Sequence, residues 1–214
     1  TAATYGEPDQ VPIREDAPTR PTNTYGASKL AVDHMLTSYA VAHGFAAVSL
    51  RYFNVAGAAY GLGERHATET HLIPLALQVA AGQREALTVY GRDYPTPDGT
   101  CIRDYVHVMD LVDAHVLGLG WLRKGEALPR GGTEVFCLGT GNGFSVREVV
   151  DHSRHVTNRP VPMQDGPRRA GDAVKLVSGS EKAGRVLGWR PDRSTLPLMI
   201  ADAWRWHQTG HYSA

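Results

Sequence analysis

The sequence has little that would suit a disulfide-bonded, nucleic-acid-binding or membrane-spanning protein. Only two of its 214 residues are cysteine, too few for a disulfide framework and without the spacing of a zinc site. Lys+Arg and Asp+Glu number 22 each, so there is no excess of positive charge to attract nucleic acid. No apolar run approaches the ~20 residues of a spanning helix, and the first residues lack the pattern of a secretory signal. We therefore expect a cytoplasmic protein with neither a nucleic-acid nor a membrane partner.

The ten histidines are scattered and do not form a metal-binding pattern. The closest pairs are His152 with His155 and His207 with His211, and neither pair has a third ligand at a matching interval. We therefore expect no metal site. Residue 1 is Thr rather than Met, which favours a piece of a longer protein.

What the chain does contain is an ordinary globular composition, with 42% hydrophobic and 21% charged residues, and alternating helix and strand patterns. Residues 5–24 are proline-rich and polar, which predicts a surface loop. Strands that alternate with helices predict an α/β fold with a parallel sheet. The predicted helices lie at about 24–43, 71–81, 109–122, 145–156 and 194–207, and the predicted strands at 46–53, 87–90, 101–108 and 134–139.

A tyrosine and a lysine at the start of the first predicted helix could carry chemistry. Tyr25 and Lys29 are four residues apart, so they lie on one face of the helix. A nearby positive charge stabilises the phenolate, which is the form of tyrosine that can act as a general base. Taken alone this YxxxK pattern is weak, because a surface tyrosine followed by a solvated lysine satisfies it equally well.

Further motifs on either side of this pair identify a family. The segments are TAATYG at 1–6, LRYFNVAG at 50–57, HLIP at 71–74, VYGRDYPTPDGTCIRDYVHVMDL at 89–111, LGTGNGFSVREVV at 138–150 and PRRAGD at 167–172. The first two, together with YxxxK, resemble the extended short-chain dehydrogenase/reductase enzymes. The remaining blocks resemble the UDP-glucose 4-epimerases within that family. The resemblance covers nearly the whole chain in order and corresponds to the C-terminal two-thirds of such an enzyme.

The resemblance implies interconversion of UDP-glucose and UDP-galactose, in galactose metabolism. In the family, NAD takes a hydride from C4 of the sugar and returns it to the other face of a 4-keto sugar. Two alternatives stay open: a 4-epimerase of another UDP-sugar, such as UDP-xylose or UDP-N-acetylglucosamine, and a non-catalytic UDP-sugar-binding fragment. Related 4,6-dehydratases carry acidic residues just after the catalytic threonine. Ala2 and Ala3 stand there in this chain, which favours an epimerase.

The resemblance also assigns roles to particular residues. Tyr25 matches the catalytic base, Lys29 its partner, which also contacts the nicotinamide ribose, and Thr1 the hydroxyl that bridges the sugar and the tyrosine. Tyr25 and Lys29 would thus also contact NAD, together with Tyr52 and Phe53. The residues that match substrate-contacting positions are Thr1, Asn54, His71, Leu72, Thr88, Tyr90, Arg103, Arg169 and Asp172. Among these, the two arginines match the residues that hold the UDP diphosphate. Tyr90 matches a position near the uracil, and Asp172 matches one near the uridine ribose.

The fold implied by the resemblance is a truncated Rossmann-type parallel sheet with a smaller α/β substrate-binding domain. Residues 1–54, with 100–122 returning to them, would form the remaining part of the NAD-binding domain, and 55–214 the UDP-sugar-binding domain. The glycine-rich segment 139–143 follows a strand and precedes a helix, but Phe144 takes the sixth position of GxGxxG and no suitable acidic residue follows, so we interpret it as a structural loop. Lacking the pyrophosphate loop of the family, the chain alone is expected to bind NAD weakly and to turn over little. The intact protein is expected to be a homodimer through the Tyr25 helix.

Overall fold

The computed structural model describes residues 1–124 and 128–209, and these residues form an α/β fold. A single 3-10 turn at Ala2–Thr4 precedes the first helix. The helices are α1 (Thr24–His43), α2 (Leu72–Ala80), α3 (Val108–Arg123), α4 (Val146–Thr157), α5 (Glu181–Leu187) and α6 (Leu196–His207). The strands are β1 (Ala47–Tyr52), β2 (Asn54–Ala56), β3 (Leu87–Tyr90), β4 (Ile102–His107), β5 (Thr133–Leu138), β6 (Gly143–Ser145), β7 (Met163–Gly166) and β8 (Lys175–Leu176).

Local capping explains why the predicted helix bounds are close to the observed ones. Asn23 is the N-cap of α1, and its side chain accepts a hydrogen bond from Gly26 N at 2.8 Å. The same helix ends at Gly44, which has a φ of 70°. Helix α4 begins with a complete capping box between Ser145 and Glu148. These signals are short stretches of sequence, so they can be identified without the tertiary structure.

The strands form three sheets in which parallel pairing predominates. β1 pairs with β5 along its whole length, in parallel. β4 lies at the centre of the second sheet, parallel to β2 and β8 and antiparallel to β6. β3 and β7 form a separate parallel pair. The α/β class with parallel strands is thus confirmed.

Two layers of helices pack against these strands. Helices α3 and α5 cover β1, β5 and the end of β4 with a core of Val106, Leu111, Ala114, Phe136, Leu138, Ala183, Leu187 and Trp189. Helices α2, α4 and α6 enclose a second core of Ile73, Leu77, Tyr105, Val149, Leu196, Met199, Ile200 and Ala203. Tyr105 of β4 belongs to the second core and Val106 to the first, because successive strand residues point to opposite faces. β4 therefore joins the two halves of the molecule.

Several elements escape prediction from the sequence, namely the short strands β2, β6, β7 and β8 and the short helix α5. The helix α1 is predicted, but most of its apolar residues do not enter the core: Val32, Met35 and Tyr39 are exposed, and only Gly26 and Ala40 are buried. β5 lies within the range 55–214 assigned to the sugar-binding domain and pairs with β1 of the other part. The domain boundary itself stays a prediction.

Within the described residues, no helix combines the length and the apolar character that crossing a bilayer requires.

Candidate functional site

A large cavity lies where the N-terminal turn, the end of β1, the start of α2, β4 and the end of α6 meet. Its volume is about 760 Å³, within the range of small-molecule sites. Nine of the predicted site residues line it, which are Thr1, Tyr25, Tyr52, Phe53, Asn54, His71, Leu72, Arg103 and Asp172. The cavity therefore gathers predicted residues from Thr1 to Asp172, which are far apart in the chain.

The first turn of α1 packs against the turn that follows Thr1. An added Cβ at Gly26 would overlap the carbonyl oxygen of Ala3, so only glycine permits this approach. Tyr25 is consequently held beside the N-terminal turn, with 55% of its surface exposed toward the cavity and solvent. The Thr1 hydroxyl caps the turn by accepting a hydrogen bond from Ala3 N at 3.3 Å. The phenol and the threonine hydroxyl thus share one cavity wall.

A buried polar network beneath this wall connects α1, β1, β5 and the N-terminal turn. Arg51 makes an ion pair with Asp33 at 2.9 Å and donates to the hydroxyl of Tyr5 at 2.9 Å. The Tyr5 hydroxyl also lies 3.1 Å from the sulfur of Cys137, and burial raises the pKa of that thiol to about 11. Ser49 donates to Asp33 at 2.6 Å. The network fixes the N-terminal turn and α1 to the sheet, and hence Thr1 and Tyr25 to each other.

At the end of β1 the chain passes from the sheet into the cavity wall. Phe53 is buried in a small core with Tyr5 and Cys137, whereas Tyr52 is half-buried and contacts the ring of His115. Asn54 begins β2, whose partner in the sheet is Tyr105 of β4. Tyr52, Phe53 and Asn54 all line the cavity, and Phe53 is the most buried of the three.

Another part of the cavity lining carries charged groups. Arg103 on β4 is mostly buried, and its guanidinium lies 3.8 Å from the Asp172 carboxylate. His71 is the N-cap of α2 and Leu72 its first residue. Together these residues provide one guanidinium, one carboxylate, one imidazole and one apolar side chain. Such a set could bind a ligand that combines phosphate with polar rings.

Four predicted residues, all described in the structure, lie outside the cavity wall. The Lys29 ammonium lies 5.8 Å from the centroid of the Tyr25 ring, one turn further along α1. Thr88 and Tyr90 are on β3, where the Thr88 hydroxyl accepts a hydrogen bond from Gln164 at 3.0 Å. The guanidinium of Arg169 stacks on the Tyr90 ring at 3.9 Å. The structure therefore pairs Arg169 with Tyr90, neither of which lines the cavity, and Lys29 with Tyr25, of which only Tyr25 lines it.

Two features of the cavity region were missed from the sequence. Glu64, His66, Glu69 and His71 lie together on the loop before α2, and the signal for them is a repeated Glu-x-His triplet at 64–66 and 69–71. The other feature is His207, at the end of α6, whose pKa is lowered by burial to about 4. His211, the other member of the pair that the sequence analysis set aside as a metal site, lies outside the described residues. Neither feature follows the motif spacing on which the sequence analysis relied.

The glycine-rich segment 139–143 is a structural loop, in keeping with the interpretation from its sequence. The buried Asp104 carboxylate accepts hydrogen bonds from the backbone N–H groups of Thr140, Gly141 and Ser178, at 2.9 to 3.1 Å. Dinucleotide-binding loops direct such N–H groups toward a pyrophosphate. In this chain the N–H groups of Thr140 and Gly141 already donate to the Asp104 carboxylate.

Known proteins with similar sequences and structures are UDP-glucose 4-epimerases. The chain is 58% identical over 209 residues to a UDP-glucose 4-epimerase of Streptomyces lividans, and 55% identical over 204 residues to one of Corynebacterium glutamicum. These alignments cover 98% and 95% of this chain but only 61% and 60% of the two relatives. A crystal structure of UDP-glucose 4-epimerase from Bifidobacterium longum in complex with NAD⁺ and UDP superposes with a TM-score of 0.91 at 37% identity, over all of this chain and 63% of that one.

The family model described as the NAD dependent epimerase/dehydratase family matches residues 1–130. This match extends over more than half of the chain and includes the N-terminal turn, the YxxxK helix and the strand that leads into the cavity. Since the motifs, the fold and the relatives agree with it, the chain belongs to the NAD dependent epimerase/dehydratase family.

Proposed function

We propose that the protein to which these residues belong interconverts UDP-glucose and UDP-galactose by NAD-dependent epimerisation at C4 of the sugar. The observation that supports this most directly is the shared cavity, because Thr1, Tyr25, Asn54, Arg103 and Asp172 all line it. The cavity brings a potential base, a hydroxyl and a guanidinium to one ligand. The chain spans about 60% of the length of its curated relatives, so the activity is proposed for the intact enzyme.

In this proposal Tyr25 accepts the proton of the sugar 4-hydroxyl and Thr1 bridges the two groups. A phenol is a weak base until a positive charge stabilises its anion, and the Lys29 ammonium 5.8 Å from the ring provides that charge. The arrangement requires Tyr25 to keep its position relative to Thr1. The close packing at Gly26 and the Arg51 network both hold it there.

The residues of this chain fit one end of NAD. Tyr25, Lys29, Tyr52 and Phe53 lie on or beside one side of the cavity and would hold the nicotinamide and its ribose. The N–H groups of the glycine-rich loop, in contrast, are occupied by Asp104, so they would not hold the pyrophosphate. When bound, NAD supplies the hydride acceptor and donor for C4. We therefore propose that this chain provides the catalytic end of the cofactor site and that, alone, it binds NAD weakly.

Arg103 and Asp172, with their neighbours, would hold the nucleotide part of the substrate. The Arg103 guanidinium suits a diphosphate because its fork donates two parallel hydrogen bonds to phosphate oxygens. Arg169 would join it by leaving the Tyr90 ring, which would then be free to contact the uracil beside Thr88. Asp172 would accept from the uridine ribose, and Asn54, His71 and Leu72 would complete the wall. Strong anchoring of the diphosphate leaves the sugar free to turn over between the two hydride transfers.

Dimerisation and the division into two domains are part of the same proposal. Exposed apolar side chains lie along α1 at Val32, Met35 and Tyr39, and others lie along α3 at Val116 and Leu119. Such a surface is typical of one that is covered in an assembly. We propose that α1 lies in a dimer interface, and that the NAD-binding part comprises 1–54 and 100–122 and the UDP-sugar-binding part the remainder of 55–214.

The test of the proposed function is a pair of Tyr→Phe substitutions on the same helix of the intact enzyme. Tyr25→Phe is expected to lower kcat for UDP-galactose by roughly 10²- to 10⁴-fold, the usual contribution of a general base. Tyr39→Phe is the matched control, because Tyr39 is similarly exposed on α1 but does not line the cavity. Its kcat is expected to stay near that of the wild type. The measurement is a coupled assay of UDP-glucose formation at saturating substrate.

Activity of Tyr25→Phe within about twofold of the wild type would overturn the role of Tyr25. A panel of UDP-glucose, UDP-N-acetylglucosamine and UDP-xylose identifies the sugar, since each alternative predicts a different best substrate. Binding of UDP without turnover of any member of the panel would instead favour the non-catalytic alternative.

A further inference from the structure

Four potential metal ligands lie together on the loop that leads into α2. They belong to the two Glu-x-His triplets, Glu64 with His66 and Glu69 with His71. One ligand atom from each of the four lies within 4.8 Å of all the others. The rings of His66 and His71 stack with centroids 5.1 Å apart. Glu64, His66 and His71 line the same cavity as Tyr25 and the charged pair Arg103 and Asp172.

The carboxylate of Glu69 is the fixed part of the cluster. Its side chain is 1% exposed, and its Oε1 accepts hydrogen bonds from the backbone N–H groups of Thr70 and His71, both at 2.7 Å. Its Oε2 is also buried and accepts no hydrogen bond from an N–H or hydroxyl group of the described residues. The Glu64 carboxyl lies beside the Glu69 carboxyl, and burial together with a hydrogen bond to Glu69 raises the pKa of Glu64. Nδ1 of His66 lies 3.8 Å from Oε2 of Glu69, which is too far for a hydrogen bond. A buried carboxylate oxygen without a donor is costly unless a cation lies beside it.

The distances in the cluster suit a small divalent cation. In a tetrahedral zinc site with ligands at 2.0 to 2.2 Å, neighbouring ligand atoms are about 3.4 Å apart. Nδ1 of His71 lies 2.8 Å from Oε1 of Glu69 and 4.0 Å from Oε2 of Glu64, so the observed separations bracket that value. His66 and Glu64 are in direct contact as well. Small adjustments of the three exposed side chains, Glu64, His66 and His71, would therefore complete the geometry.

We propose that Glu64, His66, Glu69 and His71 form a binding site for one divalent transition-metal ion of the zinc type. Two imidazole nitrogens with two carboxylate oxygens are a donor set for zinc and its neighbours, whereas magnesium and calcium prefer oxygen alone. Binding requires unprotonated imidazole nitrogens, so any proton on the coordinating nitrogens is released as the metal binds. The metal would fasten the loop to the start of α2, at the wall of the cavity. This departs from the expectation of no metal, which considered only closely spaced histidines.

The test is zinc binding by the protein after dialysis against a chelator. Isothermal titration with Zn²⁺ is expected to show one ion per chain, and His66→Ala and Glu69→Gln are each expected to weaken binding at least about tenfold. His155→Ala is the control, because His155 is an exposed histidine of α4 outside the cluster. Its affinity is expected to equal that of the wild type. Circular dichroism verifies that each variant keeps its fold.

Cobalt provides a second readout that is independent of affinity. Co²⁺ bound by the four proposed ligands gives the visible absorption of a nitrogen and oxygen site, without the sulfur-to-metal charge-transfer band that ligation by Cys101 would add. The proposal is overturned if binding is absent, if His66→Ala binds Zn²⁺ as tightly as the wild type, or if the cobalt spectrum shows thiolate ligation. His66 is half-exposed, so its variant decides the matter even if Glu69→Gln does not fold.

Discussion

Removing the charge of Arg51 should destabilise the protein far more than removing the same charge at the surface. The Arg51 side chain is 9% exposed and that of its partner Asp33 is 19% exposed. Two guanidinium nitrogens contact the carboxylate, at 2.9 and 3.0 Å, and a third donates to Tyr5. Arg51→Met keeps most of the apolar stem but leaves Asp33 charged and without its partner.

The expected cost follows from burial. Breaking a buried ion pair by removing one partner costs about 3 to 5 kcal/mol. Asp33 keeps some exposure and its hydrogen bond from Ser49, so we expect the lower end, about 3 kcal/mol. The control is Arg205→Met, which removes an ion pair with Asp202 of 2.9 Å from an arginine that is 75% exposed. Its cost should be under about 1 kcal/mol.

Urea unfolding followed by circular dichroism measures the loss of unfolding free energy in both variants. The double variant Arg51→Met with Asp33→Leu should be more stable than Arg51→Met alone, because it also removes the charge that was left unpaired. If Arg51→Met cost no more than Arg205→Met, or if the double variant were the less stable of the two, the reasoning from buried charge would be refuted.

Two further predictions concern glycine and buried aspartate. Gly26→Ala should destabilise the protein by about 2 kcal/mol or more although alanine favours helices, because the added Cβ overlaps the Ala3 carbonyl. Gly120→Ala in α3 should instead stabilise the protein by up to about 1 kcal/mol, because a Cβ there would meet nothing within 4 Å. Thermal unfolding of both variants compares them, and equal shifts would contradict the prediction. Asp104→Ala leaves three backbone N–H groups without their acceptor and should cost at least about 3 kcal/mol in urea unfolding, whereas a loss below 1 kcal/mol would show that water replaces the carboxylate.

The elements that could be predicted are those with local signals. Asn23 and Gly44 mark the ends of α1, and Ser145 with Glu148 marks the start of α4, because caps are satisfied by residues within one turn. The short strands β2 and β6 have no such signal. Each is three residues long and is defined only by its pairing with β4, so its existence depends on a strand distant in sequence.

The exposed apolar face of α1 shows a second limit of sequence patterns. Periodicity predicts that Val32, Met35 and Tyr39 share one helix face, and they do. It cannot tell whether that face meets the core of the same chain or some other surface, since burial depends on which elements pack against the helix. In the structure this face is exposed.

The sequence by itself determined the α/β class, the bounds of the long helices and the family motifs that mark Tyr25, Lys29 and Thr1. Only the tertiary structure decided which residues share a cavity, how Asp104 occupies the N–H groups of the glycine-rich loop, and that two Glu-x-His triplets meet around the buried carboxylate of Glu69. The physical reason is the range of the interactions. Caps and helical periodicity act over a few residues, whereas a cavity wall and a buried charge depend on distances between segments that the chain brings together only when it folds.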